Sequence, residues 1–434
     1  MAEITGREIV LETLLLITRD GEYSHIALKN VLDKYQYLEK KERAFITRVV
    51  NGTLERMIEI DYIINCFSKV KVNKMKPVIR TILRSGVYQL KYMDSVPASA
   101  VCNEAVRLAE RKGFINLKGF VNGVLRNIAR NMEKISYPAQ EDTVLYLSVM
   151  YSLPEWLVKQ WLCIYDADTV ARMGAEFLKE KPTAIRCNTQ KIQPEKLREK
   201  LEEEGVKVME IPSVPYAFYI AGYDYIAGLK SFQDGCFYVQ DVSSMQVAEW
   251  ASPEEGDYII DVCAAPGGKA LHLAEKLRGS GHIEARDLTM VKTELVEENI
   301  ARSRLTNIEA VCQDATEFDK ASVQKADIVI ADLPCSGLGV LGKKPDLKFK
   351  MTPQTEAELV KLQREILSVV NQYVKPGGKL LYSTCTIHRE ENEENAVWFA
   401  REFPEFTLIK EEQMLPGGVY GDGFYIALFQ KENA

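Results

Sequence analysis

Two cysteines lie where strand ends would bring them, each in a setting that suits chemistry. Asp332-Leu333-Pro334-Cys335-Ser336-Gly337 puts one thiol just past a short apolar run, and Ser383-Thr384-Cys385-Thr386 puts a second just past the next. A lone cysteine is most often a buried, inert side chain. Two thiols in turns beyond neighbouring strands, where open α/β sheets bind their ligands, reverse that expectation. Such a pair suits covalent catalysis on a pyrimidine. Carbon 5 of cytosine is a poor nucleophile. A thiolate that adds to carbon 6 turns the ring into an enamine, carbon 5 can then attack a sulfonium methyl group, and loss of the carbon-5 proton lets the thiolate leave. The attacking species is the thiolate, so a neighbour must lower its pKa, and Lys269 is the candidate. Asp332, placed near N3 and N4 of the ring, would polarise it toward addition.

The second chemical signal is the loop Asp261-Val262-Cys263-Ala264-Ala265-Pro266-Gly267-Gly268-Lys269, which follows a strand and opens a helix. Small residues and two glycines let the backbone approach a ligand, and a helix start aims amides at a bound carboxylate. The loop is neither a GxGxxG fingerprint nor a P-loop, so phosphate binding is not implied. Taken alone, such a turn can be purely structural. Asp287, twenty residues beyond Gly267 at the end of the next strand, suits two ribose hydroxyls. Asp314 follows the third strand and could accept from an adenine amino group, and Asp332 ends the fourth. Helix capping accounts for any one of these acids. It accounts poorly for four, counting Asp261, that converge on one crevice.

The elements that must position these groups follow from periodicity. Short apolar strands (Tyr258–Val262, His282–Arg286, Ile308–Cys312, Ile328–Ala331 and Leu380–Ser383) alternate with helices, which predicts a doubly wound, mostly parallel α/β sheet over 236–434. The turn Lys375-Pro376-Gly377-Gly378 precedes the last of them. A late run, Phe424 to Phe429, reads as an antiparallel strand closing the sheet edge. Residues 1–135 read as helices throughout, ending near Asn131, with Gly21, Pro77, Gly86, Pro97 and Gly113 at the joints. Over 140–235, helical periodicity with Trp156 and Trp161 gives way after Pro182 to a βαβ-like patch. That patch comprises strands Thr183–Asn188 and Val206–Met209 around a helix from Pro194, and it suits a small α+β domain. The aromatics of 216–225 could stack on RNA or pack in a core.

Composition sets limits. With 434 residues, 46% hydrophobic and 27% charged, the chain reads as a globular protein of about two to four domains. No run of about 18 apolar residues occurs, so no membrane partner is expected. Glu3 and the lack of a basic stretch before an apolar one argue against a secretory signal. Nine scattered cysteines without a CxxC, and only 4 histidines, argue against a metal site and suit reduced thiols in the cytoplasm. The net charge of −7 hides a basic block: 69–134 holds 14 Lys+Arg against 4 Asp+Glu. It suits a phosphate-binding appendage as well as a solvated helical face.

At these residues the chain resembles the RNA cytosine carbon-5 methyltransferase family, over roughly 140–434. The resemblance rests on Cys263-Ala264-Ala265-Pro266-Gly267-Gly268-Lys269, Asp332-Leu333-Pro334-Cys335-Ser336-Gly337, Ser383-Thr384-Cys385-Thr386, Asp422-Gly423-Phe424-Tyr425 and Gln240-Asp241-Val242-Ser243-Ser244. It is closest to the branch that acts on small-subunit (16S) ribosomal RNA and carries an N-terminal NusB-like helical domain. Val96-Pro97 and Phe120-Val121-Asn122-Gly123-Val124-Leu125-Arg126 are the marks of that domain here. The resemblance implies a class I, Rossmann-like catalytic fold and S-adenosylmethionine as cofactor, held by Cys263, Ala264, Ala265, Pro266, Gly267, Gly268, Lys269, Asp287, Asp314 and Asp332. It implies Cys385 as nucleophile and Cys335 as the thiol that helps release the RNA. It also implies a ribosomal RNA substrate, and a monomer is expected. Two departures stand out. Arg286 occupies a position where a small apolar residue is expected. Phe349 stands for the usual Trp after the basic stretch Lys343-Lys344-Pro345-Asp346-Leu347-Lys348, which is expected to touch RNA unless it is a solvated loop.

Two other readings compete. One is an RNA-binding module whose transferase fold has lost activity, against which the intact Cys385, Cys335 and Asp332 speak. The other is a transferase acting on transfer RNA or DNA. DNA cytosine methyltransferases attack with the thiol of the Pro-Cys motif, so the order of the two thiols separates that option.

Overall fold

The computed structural model describes residues 4–433, which form two compact units. The first comprises the chain up to Lys179 together with Leu341–Lys350; the second comprises Glu180–Val340 and 351–434.

The first unit is all helical. Gly6–Thr18, Lys40–Glu55, Met57–Phe67, Pro77–Tyr92, Ala98–Arg111 and Lys118–Arg130 are its principal N-terminal helices. Their 3.6-residue apolar stripes meet in one core, where Leu11, Ile46, Leu54, Ile60, Leu83 and Leu125 lose all solvent contact. Gly52 is required where the Tyr88 ring crosses its helix, because an added Cβ would sit 2.0 Å from that ring. Thr143–Tyr151, Glu155–Leu162 and Ala167–Phe177 extend the unit, and Trp161 is buried against Phe177.

The segment Leu341–Lys350 is held in this unit by polar anchors. Ser24 donates its backbone N–H to Asp346 at 3.1 Å. Lys350 Nζ donates to the carbonyls of Gly21 and Glu22 and lies 3.8 Å from the Tyr23 ring centre. Lys348 is buried and donates to the Glu55 carbonyl at 2.7 Å. The expectation that this whole basic stretch touches RNA is therefore corrected. Lys343 and Lys344 are exposed, whereas Lys348 is spent on a backbone carbonyl.

The second unit contains two sheets. β1 (Thr183–Cys187), β2 (Lys207–Glu210), β3 (Ala217–Ala221) and β4 (Phe237–Val239) form a four-stranded antiparallel sheet in the order β2-β3-β1-β4. The two strands predicted around Pro194–Glu203 are present, but β3 lies between them, giving a split βαβ arrangement. The aromatics of this region are mostly packed. Phe218 is buried, Tyr216 meets His272 edge-on, and Tyr225 alone among them is widely exposed, at 61%.

β5 (Tyr258–Asp261), β6 (His282–Asp287), β7 (Ile308–Cys312), β8 (Ala326–Asp332), β9 (Val374–Thr384), β10 (Phe406–Met414) and β11 (Phe424–Lys431) form a seven-stranded sheet in the order β10-β11-β9-β8-β5-β6-β7. The five strands from β9 to β7 are parallel, as their alternation with helices predicts. Two details differ from the sequence reading. The Pro-Gly-Gly turn is absorbed into a longer β9, with a register shift opposite Ala326–Ile328. The predicted last strand is antiparallel but internal, and β10 takes the edge. β10 is solvated along most of its length, with Thr407, Ile409, Lys410, Glu411 and Glu412 all exposed, so no apolar run announces it.

The two sheets share a buried bridge. Arg186 on β1 reaches Glu275 at 2.6 Å and Gln240 at 2.7 Å, and its guanidinium lies over Tyr238. Arg286 on β6 is also buried, and three acceptors explain it: Glu284 at 2.8 Å, Ser322 at 2.6 Å and Asp319 at 3.4 Å.

Candidate active site

The register of the parallel sheet brings the two thiols together. On adjacent strands β8 and β9, Asp332 pairs with Ser383. Cys335 and Cys385 follow three and two residues later, so both loops leave the same rim. Their sulfurs lie 3.3 Å apart. Neither cysteine is in a disulfide, and both are only partly exposed. Hydrogen bonding to Cys385, burial and the charges of Glu391 and Asp332 push the Cys335 thiol well above its ordinary range, so Cys335 keeps its proton.

Asp332 joins the thiol rim to the glycine loop. Its Oδ2 lies 2.6 Å from Lys269 Nζ, and its Oδ1 accepts from Ser383 Oγ at 2.8 Å. Burial works against a charged Lys269, but Asp332, Asp261 and Cys385 outweigh it and raise its pKa. The ammonium is thus held charged within electrostatic reach of Cys385, as a thiolate stabiliser must be.

The glycine loop itself is pinned to the end of β6. Ala264 N–H donates to the Arg286 carbonyl at 2.8 Å and Ala265 N–H to Asp287 Oδ2 at 2.9 Å. Gly267 has φ +103°, a conformation that demands glycine, and no side chain caps the helix Gly268–Lys276 that it starts. Asp287 also accepts from Leu288 N–H and from Lys292. Asp314 lies just past β7, where Gln313 N–H bonds the Asp287 carbonyl. Its own Oδ1 takes the amide and hydroxyl of Thr316, which hold its pKa low.

Cys263 is no third nucleophile. Burial and the charges of Asp261, Asp287 and Asp332 raise its pKa, which keeps it a thiol. Asp261 is 1% exposed, and its carboxylate has no side-chain hydrogen-bond partner. Burial and the neighbouring Asp332 push its carboxyl up to about 7. A buried acid without a side-chain partner, close in charge to Asp287 and Asp332, together with an uncapped helix start at Gly268, fits a zwitterionic ligand that carries a further cationic centre. The cations would meet the acids and the carboxylate would meet the amides.

The sequence reading missed the residues that support the thiol loops. Gly339 donates its N–H to the Cys385 carbonyl at 3.1 Å and accepts from Gly423 N–H at 2.9 Å. An added Cβ there would lie 2.1 Å from the Gly423 carbonyl oxygen. Ser336, Gln363, Thr386, Glu391 and Asn392 form a buried polar cluster beneath both loops. The one available signal was the Ser and Thr residues flanking each cysteine. The acid-rich run 390–394 reads as an ordinary solvated helix start.

Comparison with known proteins converges on one family. The model of "16S rRNA methyltransferase RsmB/F" matches 248–430, that of the NusB family matches 5–130, and an RsmF/B-like ferredoxin-like domain matches 153–224. The chain is 35% identical to the probable ribosomal RNA small subunit methyltransferase B of Bacillus subtilis (strain 168), with 100% of both chains covered. It is 31% identical to the protein of the same description from Synechocystis sp., over 99% of this chain and 100% of that one. Among solved structures, that of PH0851 is 26% identical and covers 99% of both chains with a TM-score of 0.84. NSun6 from Pyrococcus horikoshii with SFG is 24% identical, covers 66% of this chain and 100% of that one with a TM-score of 0.60, and shares the fold.

Proposed function

The chain belongs to the 16S rRNA methyltransferase RsmB/F family, and on that premise we propose that it methylates carbon 5 of a cytosine in small-subunit ribosomal RNA through a covalent adduct on Cys385. The enzyme is an S-adenosylmethionine-dependent methyltransferase, and that cofactor supplies an electrophilic sulfonium methyl group. Residues 263–269, Asp261, Asp287, Asp314 and Asp332 would hold it.

The observation that carries the reading is the 3.3 Å gap between two thiols, of which Cys335 is held protonated, beside a charged Lys269. Because Cys335 keeps its proton and can direct it at the Cys385 sulfur, we assign the attack to Cys385. Cys385 adds to carbon 6, which makes carbon 5 nucleophilic. Asp332 would accept from the exocyclic amino group and orient the ring. After methylation, carbon 5 gives up its proton to solvent, the C5–C6 double bond re-forms, and Cys385 leaves as thiolate. The Cys335 S–H stabilises that departing sulfur. The target base must be unstacked for its carbon 6 to reach a thiol.

RNA would be gathered by the first unit. Lys69, Lys71, Lys74 and Lys76 are all exposed around one short 3₁₀ turn, whereas Arg84, Lys112 and Lys118 are paired with acids. No helix among the described residues is long and apolar enough to cross a membrane.

The decisive experiment is mapping of 5-methylcytosine in 16S ribosomal RNA from a deletion strain complemented with wild-type or Cys385→Ser protein. One cytosine should lose its carbon-5 methyl group in the deletion and regain it with wild type alone. A methyl group restored by Cys385→Ser would refute the assignment.

A further inference from the structure

The two thiols sit on separate loops, so something must hold those loops in register. The chain places a dipeptide, Glu391-Asn392, beneath both.

Glu391 is fully buried and takes the Cys335 loop. Its Oε2 accepts from Ser336 N–H at 3.0 Å, and its Oε1 accepts from Ser336 Oγ at 2.5 Å. Gln363 Nε2 donates both to Glu391 Oε2 and to the Pro334 carbonyl, each at 2.9 Å. The residues on both sides of Cys335 are therefore fixed through one carboxylate. Asn392 is equally buried and takes the Cys385 loop. Its Oδ1 accepts from Thr384 Oγ1 at 2.5 Å, and its Nδ2 donates to the Thr386 carbonyl at 3.1 Å. The residues on both sides of Cys385 are fixed in the same way.

A directed hydrogen-bond chain then joins the loops. Leu338 N–H donates to Thr386 Oγ1 at 3.3 Å, and because Ser336 Oγ spends its single proton on Glu391, the threonine hydroxyl must donate to Ser336 Oγ, 2.6 Å away. Ser336 in turn gives its proton to Glu391. The chain runs one way and needs a pure acceptor at its end. His388 Nδ1 lies 3.1 Å from Glu391 Oε1, and its Nε2 lies 3.7 Å from Glu356. Burial opposes a charged imidazole there, but Glu391, Glu356 and Glu390 outweigh it. Each Glu391 oxygen thus meets two donors, so an amide in its place would set an NH2 group against a donor.

We infer that Glu391 is a positioning residue, which with Asn392 sets the distance and relative orientation of the Cys335 and Cys385 sulfurs. The inference deepens the two-thiol reading of the site and rests on it for its catalytic meaning, but its test does not need methyl transfer. In full-length protein, diamide takes up the two thiol hydrogens and leaves a Cys335–Cys385 disulfide, at a rate that reports how the sulfurs meet. The readout is the rate of that cross-link by peptide mapping, alongside cofactor affinity, RNA affinity and single-turnover methylation.

Glu391→Gln is expected to slow the cross-link and the methyl-transfer step together, the latter by roughly 10²-fold for a misplacement near 1 Å, with both affinities within about twofold of wild type. Should Glu391→Gln not fold, Thr386→Val breaks the same chain without stranding a charge, and Thr386→Ser should restore the cross-link that Thr386→Val loses. Unchanged cross-linking in Glu391→Gln or Thr386→Val overturns the positioning role. Slowed cross-linking in a protein whose Cys385→Ser variant still methylates would leave the positioning role standing and sink the two-thiol reaction instead.

Discussion

Lys269 and Asp332 meet at 2.6 Å at the junction between the glycine loop and the thiol rim, with side chains 15% and 24% exposed. The pair ties the cofactor loop after β5 to the loop that carries Cys335. Lys269→Met would leave Asp332 beside the buried Asp261 without compensation. We expect a stability loss somewhat below the roughly 3–5 kcal/mol of a fully buried pair, and loss of most methyl transfer. Urea midpoints and single-turnover rates check both, and wild-type rates in Lys269→Met would remove this residue from the mechanism.

The thiols should separate by phenotype. Cys385→Ser is expected to abolish turnover and leave no adduct. Cys335→Ala removes the S–H that stabilises the departing sulfur, so a covalent protein–RNA complex should accumulate. A shifted band on denaturing gels with 16S ribosomal RNA is the readout, and the reverse pattern would exchange the two roles.

Gly339 is required by close packing. With a Cβ 2.1 Å from the Gly423 carbonyl oxygen and 2.9 Å from that of Cys385, Gly339→Ala must shift backbone. Such overpacking costs about 1–3 kcal/mol. A lowered Tm accompanied by loss of activity is expected; an unchanged Tm would show that the loop yields freely.

Asp261 should give the protein without cofactor a pH signature. Its carboxyl is raised from 3.8 to about 7 by burial and Asp332. The folded state therefore binds a proton that the unfolded state releases, and stability declines as pH climbs from near 4 through 7. Asp261→Asn should flatten that decline, and cofactor, whose cationic groups pair with the ionised acid, should oppose it. Urea midpoints at pH 5, 6, 7 and 8 test the point, and parallel profiles for the two proteins would contradict it.

Charge reversal at Lys71, Lys74 and Lys76 together should weaken ribosomal RNA binding and make the salt slope shallower by about one unit for each phosphate no longer neutralised. Cofactor affinity should not change. An unaltered slope would move the RNA surface elsewhere.

What the sequence disclosed and what it hid follow from burial and spacing. The central parallel strands β5 and β8 were legible because both faces are covered, so Ile259-Ile260 and Ile328-Val329-Ile330 read as unbroken apolar runs. β10 was hidden because most of its length is solvated, and β4 because three residues are too few to show a period. The cysteines and strand-end acids were legible from their position after those runs. Glu391 and Asn392 were not, since they act through Ser336 and Thr384, which lie 55 and 8 positions away in the chain. Only tertiary structure separates a buried acceptor from the surface acids around it.

The Leu341–Lys350 segment makes the helical unit discontinuous in sequence. A protein cut to begin after Lys179 would still carry that decapeptide, now with Leu341 and Leu347 uncovered and the Lys348 ammonium deprived of its carbonyl. Loss of RNA binding in such a fragment would be confounded by a sticky flap only six residues downstream of Cys335. Exchange of helical units between relatives has to carry the decapeptide along, so recombination at one boundary alone should produce insoluble chimaeras.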